Sequence, residues 1–267
     1  MLIESTSNDR VKEIKKLMTN GRRRRKSGLY IVEGIRMFRE IPVESVREIY
    51  VSVQADEACK TAAMEKKREA QALGNDISIY ETTEQVYKSM SDTETPQGIM
   101  ATVAMPSYDL NTLLASKESP LLLIIEKLQD PGNLGTIIRT SEGAGVTGII
   151  LSNDCVDIYN PKTIRSTMGS VFRLPIYVAS DLRADIDRIK ARGVTIYGTH
   201  LSGGEFYGYD YTKPSAFLIG NEGNGLSEEI SSTADRLIRI PMKGKVESLN
   251  AATSAAVVCY EVLRQRL

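Results

Sequence analysis

Short apolar runs alternate with helically spaced apolar positions through the first hundred residues. Apolar residues recur at helical spacing over residues 8–18, where Val11, Ile14, Leu17 and Met18 share one face. Four later runs are typical of strands, at residues 29–33, 46–53, 77–80 and 98–104. Helices are predicted between them at residues 34–41, 56–73 and 83–89. This alternation predicts a small α/β domain over residues 1–105.

The same alternation returns after residues 106–119, a polar, turn-rich stretch that we interpret as a linker. Strands are predicted at residues 121–126, 148–152, 176–179, 194–199, 216–220 and 237–240. Helices are predicted at residues 133–144, 162–168, 182–191 and 250–267, and Pro161 suits the first turn of the second of these. Apolar strands separated by helices predict a mostly parallel sheet, so residues 120–267 form a second α/β domain.

Composition restricts the class of protein. The 267 residues are 42% hydrophobic and 25% charged, which is typical of a globular protein, and no apolar run approaches the roughly 18 residues of a spanning helix. The first ten residues lack the pattern of a signal peptide, so we expect a cytoplasmic protein without membrane contact. Three scattered cysteines and a single histidine, His200, predict neither disulfides nor a metal site.

The formal net charge of zero hides a basic N-terminal segment. Residues 1–39 hold eleven Lys or Arg against four acids. Five of the eleven form one run: Arg22, Arg23, Arg24, Arg25 and Lys26. This run is either an arm that binds the phosphates of a nucleic acid or a solvated turn, and the basic helix before it favours the arm.

A glycine-rich loop follows the predicted strand at residues 216–220. Gly220, Gly223 and Gly225 have the spacing G-x-x-G-x-G, which is the reverse of the dinucleotide-binding order, and the chain has no P-loop. A plain turn needs one glycine, whereas three allow a ligand to approach the backbone closely. We therefore predict a ligand-binding loop.

Two further segments combine a turn, polar residues and a helix start. After a predicted strand, Asp130-Pro131-Gly132 leads into a helix that contains Asn133 and Arg139. Near the C-terminus, Ser248-Leu249-Asn250 begins the last helix, where Ser and Asn are either helix caps or ligand contacts.

These segments resemble the three signature motifs of the SpoU (TrmH-like) family of RNA ribose 2′-O-methyltransferases, within the SPOUT class. The matching residues are Asn133-Leu134-Gly135 with Arg139 and Gly143, then Gly220-Asn221-Glu222-Gly223 with Gly225-Leu226, then Ile240-Pro241-Met242 with Ser248-Leu249-Asn250. An intervening block also matches: Asn160-Pro161-Lys162, Arg165, Met168-Gly169 and Phe172-Arg173-Leu174-Pro175. More weakly, Tyr30-Ile31-Val32-Glu33-Gly34 resembles the ribosomal-protein-like α/β substrate-binding domain that is often attached in this family.

The resemblance implies a fold and a cofactor. The C-terminal domain is expected to carry a deep trefoil knot, an exception to unknotted topology, and to form a homodimer with active sites near the interface. Its loops are expected to hold S-adenosylmethionine through Thr199, Leu201, Gly220, Asn221, Gly225, Ile240, Met242 and Leu249.

The resemblance also implies roles in catalysis. Arg139 matches the proposed catalytic arginine, and it either clamps the RNA phosphate beside the target ribose or gives up its own proton; because the pKa of an arginine exceeds about 12, we favour the clamp. Asn133 and Glu222 are expected to orient this site. Ser248 and Asn250 either shape the pocket or only cap a helix, and Arg165 is expected to bind RNA.

The sequence therefore predicts an S-adenosylmethionine-dependent RNA 2′-O-methyltransferase, with 23S ribosomal RNA favoured over transfer RNA as the substrate. A transfer-RNA methyltransferase and a non-catalytic RNA-binding protein of ribosome assembly are the alternatives. A nicotinamide-dependent oxidoreductase is disfavoured, because the glycine spacing of the loop is the reverse of the dinucleotide-binding order.

Overall fold

The computed structural model describes residues 1–115 and 119–267. The chain forms two compact units. The first unit comprises Met1–Pro106 and Asp157–Phe172, and the second comprises Ser107–Val156 and Arg173–Leu267. Residues 157–172, which the sequence places in the second domain, thus group with the first unit.

The first 106 residues contain five strands and five helices. The strands are β1 (Leu2–Ile3), β2 (Leu29–Glu33), β3 (Val46–Ser52), β4 (Ser78–Thr82) and β5 (Ile99–Ala104). The helices are α1 (Asp9–Thr19), α2 (Gly21–Ser27), α3 (Ile35–Glu40), α4 (Glu57–Ala72) and α5 (Glu84–Met90). The predicted strands and helices are confirmed, and β1 and α2 are additions.

The sheet of the first unit has the order β1-β4-β3-β5-β2. β5 runs antiparallel to both of its neighbours, whereas β1, β3 and β4 are parallel to one another. The predicted apolar face of α1 is buried, and Val11, Ile14 and Leu17 pack in one cluster with Tyr50 and Tyr87.

The arginine run forms α2 and not a turn. Arginine has high helix propensity, and both ends of the helix are capped. The Asn20 side chain accepts a hydrogen bond from the Arg23 N–H, and Gly28 ends the helix in the left-handed conformation at φ 67°. The interpretation of this run as a solvated turn is therefore wrong.

The rest of the chain contains six strands and six helices within the described residues. The strands are β6 (Leu121–Ile125), β7 (Gly148–Ser152), β8 (Ile176–Ala179), β9 (Thr195–Glu205), β10 (Ser215–Ile219) and β11 (Arg236–Arg239). The helices are α6 (Leu110–Leu114), α7 (Pro131–Gly143), α8 (Pro161–Thr167), α9 (Leu182–Ala191), α10 (Glu228–Ser231) and α11 (Ala251–Arg266). All belong to the second unit except α8.

The sheet of the second unit is parallel throughout, with the order β11-β9-β10-β6-β7-β8. Strands β6, β7 and β10 are buried along their whole length, as the continuous apolar runs predicted. After β6, the chain adds β7 and β8 on one flank of that strand, and it then adds β9 and β10 on the other flank. A ligand crevice is expected at such a switch point, beyond the carboxyl ends of the strands.

The stretch predicted as a linker contains α6 in its described part. Leu110 and Leu113 of this helix are buried in the core of the second unit. Asp109 caps the helix by accepting a hydrogen bond from the Thr112 N–H at 2.7 Å. An apolar pair three residues apart within a polar segment marks this helix, and residues 116–118 of the predicted linker lie outside the described residues.

Strand β9 is longer than predicted and is interrupted by a bulge. Its partner β11 pairs Leu237 with Gly198 and the next residue, Ile238, with Gly204, so residues 199–203 leave the ladder. A Cβ at Gly203 would lie 2.5 Å from the Ile238 backbone, which requires glycine there. The bulge carries two residues that the sequence assigns to the cofactor, Thr199 and Leu201.

Among the described residues, no helix has both the length and the apolar character needed to cross a membrane. In the same part of the chain, no three His, Cys, Asp or Glu side chains are grouped so that they could hold a metal ion.

Candidate active site

The first signature segment lies at the carboxyl end of the central strand β6. Asp130 caps α7, because its Oδ1 accepts a hydrogen bond from the Asn133 N–H at 2.7 Å. Pro131 occupies the first turn, where the absence of an N–H costs nothing. Asn133 therefore lies in the first turn of α7, beside the loop that follows β6.

Glu222 connects this turn to the glycine-rich loop. Its Oε1 accepts from the Asp130 N–H at 3.0 Å and from Asn133 Nδ2 at 3.1 Å, and its Oε2 accepts from the Gln129 N–H at 3.2 Å. Partial burial opposes the charge, but these hydrogen bonds outweigh it and lower the pKa of Glu222 below its ordinary value. Glu222 is thus a stable anion that holds the first two segments together.

Asn133 also contacts the third segment. Its Oδ1 accepts a hydrogen bond from Asn250 Nδ2 at 3.0 Å. Because a carboxylate only accepts, the amide nitrogen of Asn133 must face Glu222, and its oxygen must face Asn250. Asn250 caps α11 with its own Oδ1, which accepts from the Ala252 N–H at 2.8 Å. The chain Glu222–Asn133–Asn250 therefore joins all three segments, and Asn250 is both a cap and part of the site.

Arg139 lies on α7, six residues after Asn133, which is about 9 Å along the helix axis. Its side chain is exposed. Within residues 1–115 and 119–267, no hydrogen bond or ion pair involves it. An arginine with only a structural role would need a salt-bridge partner, and Arg139 has none among the described residues, so the guanidinium is available to a ligand.

A cavity of about 360 Å³ lies beside the bulge of β9 and the carboxyl ends of β10 and β11. All eight predicted cofactor residues line it: Thr199, Leu201, Gly220, Asn221, Gly225, Ile240, Met242 and Leu249. Glu222 and Ser248 also reach it, whereas Asn133, Arg139 and Asn250 are not among its lining residues. The structure thus separates the predicted site into a pocket and a neighbouring polar group.

The glycine-rich loop is a tight hairpin in the pocket wall. Asn221 and Gly225 exchange two backbone hydrogen bonds of 3.0 Å, and Asn221 Oδ1 accepts from the Gly223 N–H at 2.9 Å. A Cβ at Gly220 would lie 2.2 Å from the carbonyl carbon of Gly225, so the close approach requires glycine. Gly225 has a φ of 67°, which also favours glycine.

The pocket also contains residues that were not assigned to the cofactor from the sequence. Gly223 and Leu226 belong to the second matched motif, and the others are His200, Ile219, Asn224, Ile238, Arg239, Glu247, Ala251 and Ser254. His200 lies between two predicted contacts, so its position in the sequence was a usable signal; its Nδ1 lies 2.7 Å from Ser202 Oγ. Glu247 and Ser254 flank the third segment on either side and give no comparable signal.

The predicted RNA-binding residues lie in the first unit. Arg22, Arg25 and Lys26 are exposed, whereas Arg24 is only 3% exposed, so its assignment as an RNA contact is contradicted by burial. Arg23 Nε lies 2.6 Å from Glu13 Oε1. On α8, Arg165 Nη1 lies 2.9 Å from Asp92 Oδ2.

Comparison with known proteins identifies the family of this chain. Residues 120–260 match the SpoU rRNA Methylase family, and residues 8–101 match the MRM3-like substrate binding domain. The chain is 35% identical over 263 residues to the 23S rRNA (guanosine(2553)-2'-O)-methyltransferase RlmP of Bacillus subtilis (strain 168), which covers 97% of this chain and 98% of that protein. It is 30% identical over 276 residues to the 23S rRNA (uridine(2479)-2'-O)-methyltransferase of Streptomyces viridochromogenes, covering 98% of this chain and 92% of that protein.

A solved structure is similar over the whole chain. The AdoMet-bound rRNA methyltransferase from Sinorhizobium meliloti superimposes with a TM-score of 0.87 at 29% identity, covering 100% of this chain and 98% of that one. Both the predicted α/β fold with its parallel sheet and the predicted family are confirmed. The chain belongs to the SpoU rRNA methylase family.

Proposed function

We propose that this protein transfers a methyl group from S-adenosylmethionine to a ribose 2′-hydroxyl of 23S ribosomal RNA. The observation that carries the proposal is the hydrogen-bonded chain Glu222–Asn133–Asn250, which places three signature segments beside one ligand-sized cavity. The ribosomal substrate is supported by two relatives that match nearly the whole chain and are named 23S rRNA methyltransferases.

The cavity fits S-adenosylmethionine. Its volume of about 360 Å³ lies in the range of small-molecule sites, roughly 300–1,000 Å³. Apolar side chains such as Leu201, Ile240 and Met242 suit a purine ring. The backbone at Gly220 and Gly225 presents N–H and C=O groups without side chains in between, which suits polar ligand edges.

When bound, S-adenosylmethionine supplies a methyl group that its sulfonium already activates. The ribose hydroxyl is a poor nucleophile and has to be positioned and to lose its proton. We assign the positioning to Arg139, whose exposed guanidinium has no partner among the described residues and can bind a phosphate through two parallel hydrogen bonds. A phosphate oxygen or water then takes the proton.

Glu222 is assigned a positioning role and not that of a base. Its lowered pKa makes it a weak proton acceptor at neutral pH, and its oxygens already accept several hydrogen bonds. By fixing both ends of the Asn133 amide together with Asn250, it holds the first turn of α7, the helix that carries Arg139. Ser248 is assigned to the wall of the cofactor pocket.

The test is a nucleotide-resolution map of ribose methylation on RNA from cells with and without the protein, together with the Arg139→Ala variant in vitro. We expect loss of one 23S methylation without the protein. We expect Arg139→Ala to lose methyl transfer while its affinity for S-adenosylmethionine stays within two-fold of the wild type. Arg192→Ala, at an exposed arginine of the same unit, is the control.

Other outcomes separate the alternatives. A methylation change confined to transfer RNA would replace the ribosomal substrate with a transfer-RNA substrate. RNA binding without any affinity for S-adenosylmethionine by calorimetry would favour the non-catalytic alternative. Full turnover by Arg139→Ala would remove the catalytic assignment of this residue.

Four finer expectations belong to the same proposal. We assign a trefoil knot to the second unit, supported by its membership of the SpoU family. We also propose a homodimer and a cytoplasmic location. We retain as a proposal the functional division between residues 1–105, for RNA binding, and residues 120–267, for methyl transfer. Arg165, in the segment that groups with the first unit, is proposed as an RNA contact. Light scattering of the purified protein tests the dimer.

A further inference from the structure

The five cations of α2 have three different environments. Arg24 is buried, and its Nη2 and Nε donate to Asp157 Oδ2 at 2.7 and 3.0 Å. Its Nη1 donates to the carbonyl oxygens of Leu17 and Met18 at 2.5 and 3.0 Å. These carbonyls belong to the last turn of α1, where they have no partner within the helix. Arg24 thus fastens α2 both to α1 and to the segment Asp157–Phe172.

Gly21 shows how closely α2 meets that segment. A Cβ on Gly21 would lie 2.7 Å from Asp157 Oδ2, so any larger residue would push the carboxylate away. Asp157 is only 18% exposed at its side chain, and its Oδ1 also accepts from the Tyr159 N–H at 3.0 Å. Asp157 is therefore fixed from both sides, and it fixes the first turn of α2 in turn.

The remaining cations point to a ligand. Arg23 is compensated by Glu13. Arg22, Arg25 and Lys26 are exposed, and within the two described ranges their side chains make no hydrogen bond or ion pair. Their spacing of three and four residues places them on one face, within about 6 Å along the helix axis. Such a cluster of unpaired positive charge fits a polyanion.

We propose that Arg22, Arg25 and Lys26 form a rigid phosphate-binding face for the substrate RNA, and that Arg24 and Asp157 are positioning residues that hold it. This inference rests on the proposed function for the identity of the RNA. A cluster of positive charge could belong either to a rigid face or to a loose basic tail. The Arg24–Asp157 ion pair favours the rigid face, because it holds α2 in place and uses a cation that would otherwise be available to the RNA. Asp157 is an acid whose role is to support RNA binding.

The first experiment measures the salt dependence of binding to poly(U) between 50 and 200 mM KCl. Each phosphate contact contributes about 0.7 to the log–log slope for single strands, so three contacts contribute about 2.1. Over a four-fold rise in salt, the wild type is expected to lose about 20-fold more affinity than the Arg22→Gln/Arg25→Gln/Lys26→Gln variant. The control is Lys60→Gln/Lys67→Gln/Arg68→Gln, which removes the same charge from α4 and is expected to keep the wild-type slope.

The second experiment asks whether the substitution of Asp157 weakens or tightens RNA binding, which tests the positioning role of Arg24 and Asp157. Asp157→Asn removes a negative charge, so electrostatics alone would tighten RNA binding; loss of the anchor is expected to weaken it by about ten-fold. Gly21→Ala leaves every charge in place and is expected to weaken binding in the same direction. Tighter binding by Asp157→Asn, or wild-type affinity of Gly21→Ala, would overturn the positioning role.

Methyl transfer to protein-free 23S ribosomal RNA separates this inference from the proposed function. The α2 triple variant is expected to raise the KM for RNA by at least ten-fold while keeping kcat and the Kd for S-adenosylmethionine. An unchanged slope and KM in that variant would refute the phosphate-binding face although methylation proceeds. Absence of methylation by the wild type would refute the proposed function, while the poly(U) slopes would still decide the inference.

Discussion

Replacing Glu222 with glutamine tests the residue that joins the three signature segments. The carboxylate accepts from the backbone N–H groups of Gln129 and Asp130 and from Asn133 Nδ2, at 3.2, 3.0 and 3.1 Å. These three donors are divided between both oxygens. A glutamine has one accepting oxygen and an NH₂ group that only donates. At least one donor therefore faces another donor in Glu222→Gln, whichever way the new amide turns.

The exposure of this site limits the expected loss in the free energy of unfolding. A hydrogen bond to a charged group contributes about 1.5–3 kcal/mol, and water can replace part of that at an exposed side chain. We expect Glu222→Gln to lower the free energy of unfolding by about 1–2 kcal/mol. Because Asn133 loses the partner that fixes its amide, we expect kcat to fall by about 10- to 100-fold, equivalent to roughly 1.4–2.7 kcal/mol of transition-state stabilisation.

The stability cost is expected to depend on pH with a definite sign. The pKa of Glu222 is lowered in the folded protein, so its ionised form stabilises the fold at pH values above the unfolded pKa of about 4.3. That stabilisation is lost as the pH falls through the folded pKa. The difference in stability between the wild type and Glu222→Gln is therefore expected to be full at pH 7 and to shrink below about pH 4.

Urea unfolding at pH 7 and at pH 3.5, together with steady-state kinetics at pH 7, measures these effects. Glu229→Gln, at an exposed glutamate of the same unit, is the matched control and is expected to change neither stability nor kcat. A stability difference that is equal at both pH values, or a wild-type kcat for Glu222→Gln, would refute the assigned role of the carboxylate.

Two further variants test other parts of the second unit. Gly220→Ala brings a methyl group to 2.2 Å from the Gly225 carbonyl carbon and is expected to weaken S-adenosylmethionine binding by about ten-fold or more in calorimetry, whereas Gly223→Ala, with 3.6 Å to its nearest neighbour, is expected to bind normally. Arg266 donates to the carbonyl oxygens of Tyr211, Ser119 and Lys213 at 3.0, 2.7 and 2.8 Å. Arg266→Ala is therefore expected to lower the free energy of unfolding by about 2–4 kcal/mol, against less than about 0.5 kcal/mol for the exposed Arg192→Ala; equal urea midpoints would contradict this.

The sheet of the second unit was predictable because each of its strands carries its own signal. Residues 121–125, 148–152 and 215–219 are apolar runs that end in a turn, and all three strands are buried as the runs required. The bulge in β9 was not predictable from its own residues. It depends on where β11 pairs, about forty residues later, and period-two patterning carries no information about a partner strand.

The pocket was easier to predict than the polar group beside it. Six of the eight cofactor residues lie in the matched motifs, Thr199 and Leu201 lie before the second motif, and the structure brings all eight to one cavity. The Glu222–Asn133–Asn250 chain depends on side-chain orientation across 89 and 117 residues of sequence. The family resemblance implied these residues but could not show that Asn133 bonds both of the others, because the relative positions of three loops determine that.

The run of four arginines marks the limit of sequence reasoning most clearly. Arg22, Arg23, Arg24 and Arg25 are chemically identical, yet one is buried, one pairs with a local acid, and two are exposed without a side-chain partner in the described part of the chain. The buried one is selected by the phase of α2 relative to Asp157, 133 residues away in sequence. A charge count treats all four as RNA contacts. In the folded protein, the same count overstates the size of the RNA-binding face, because it includes Arg24, which we propose positions its neighbours.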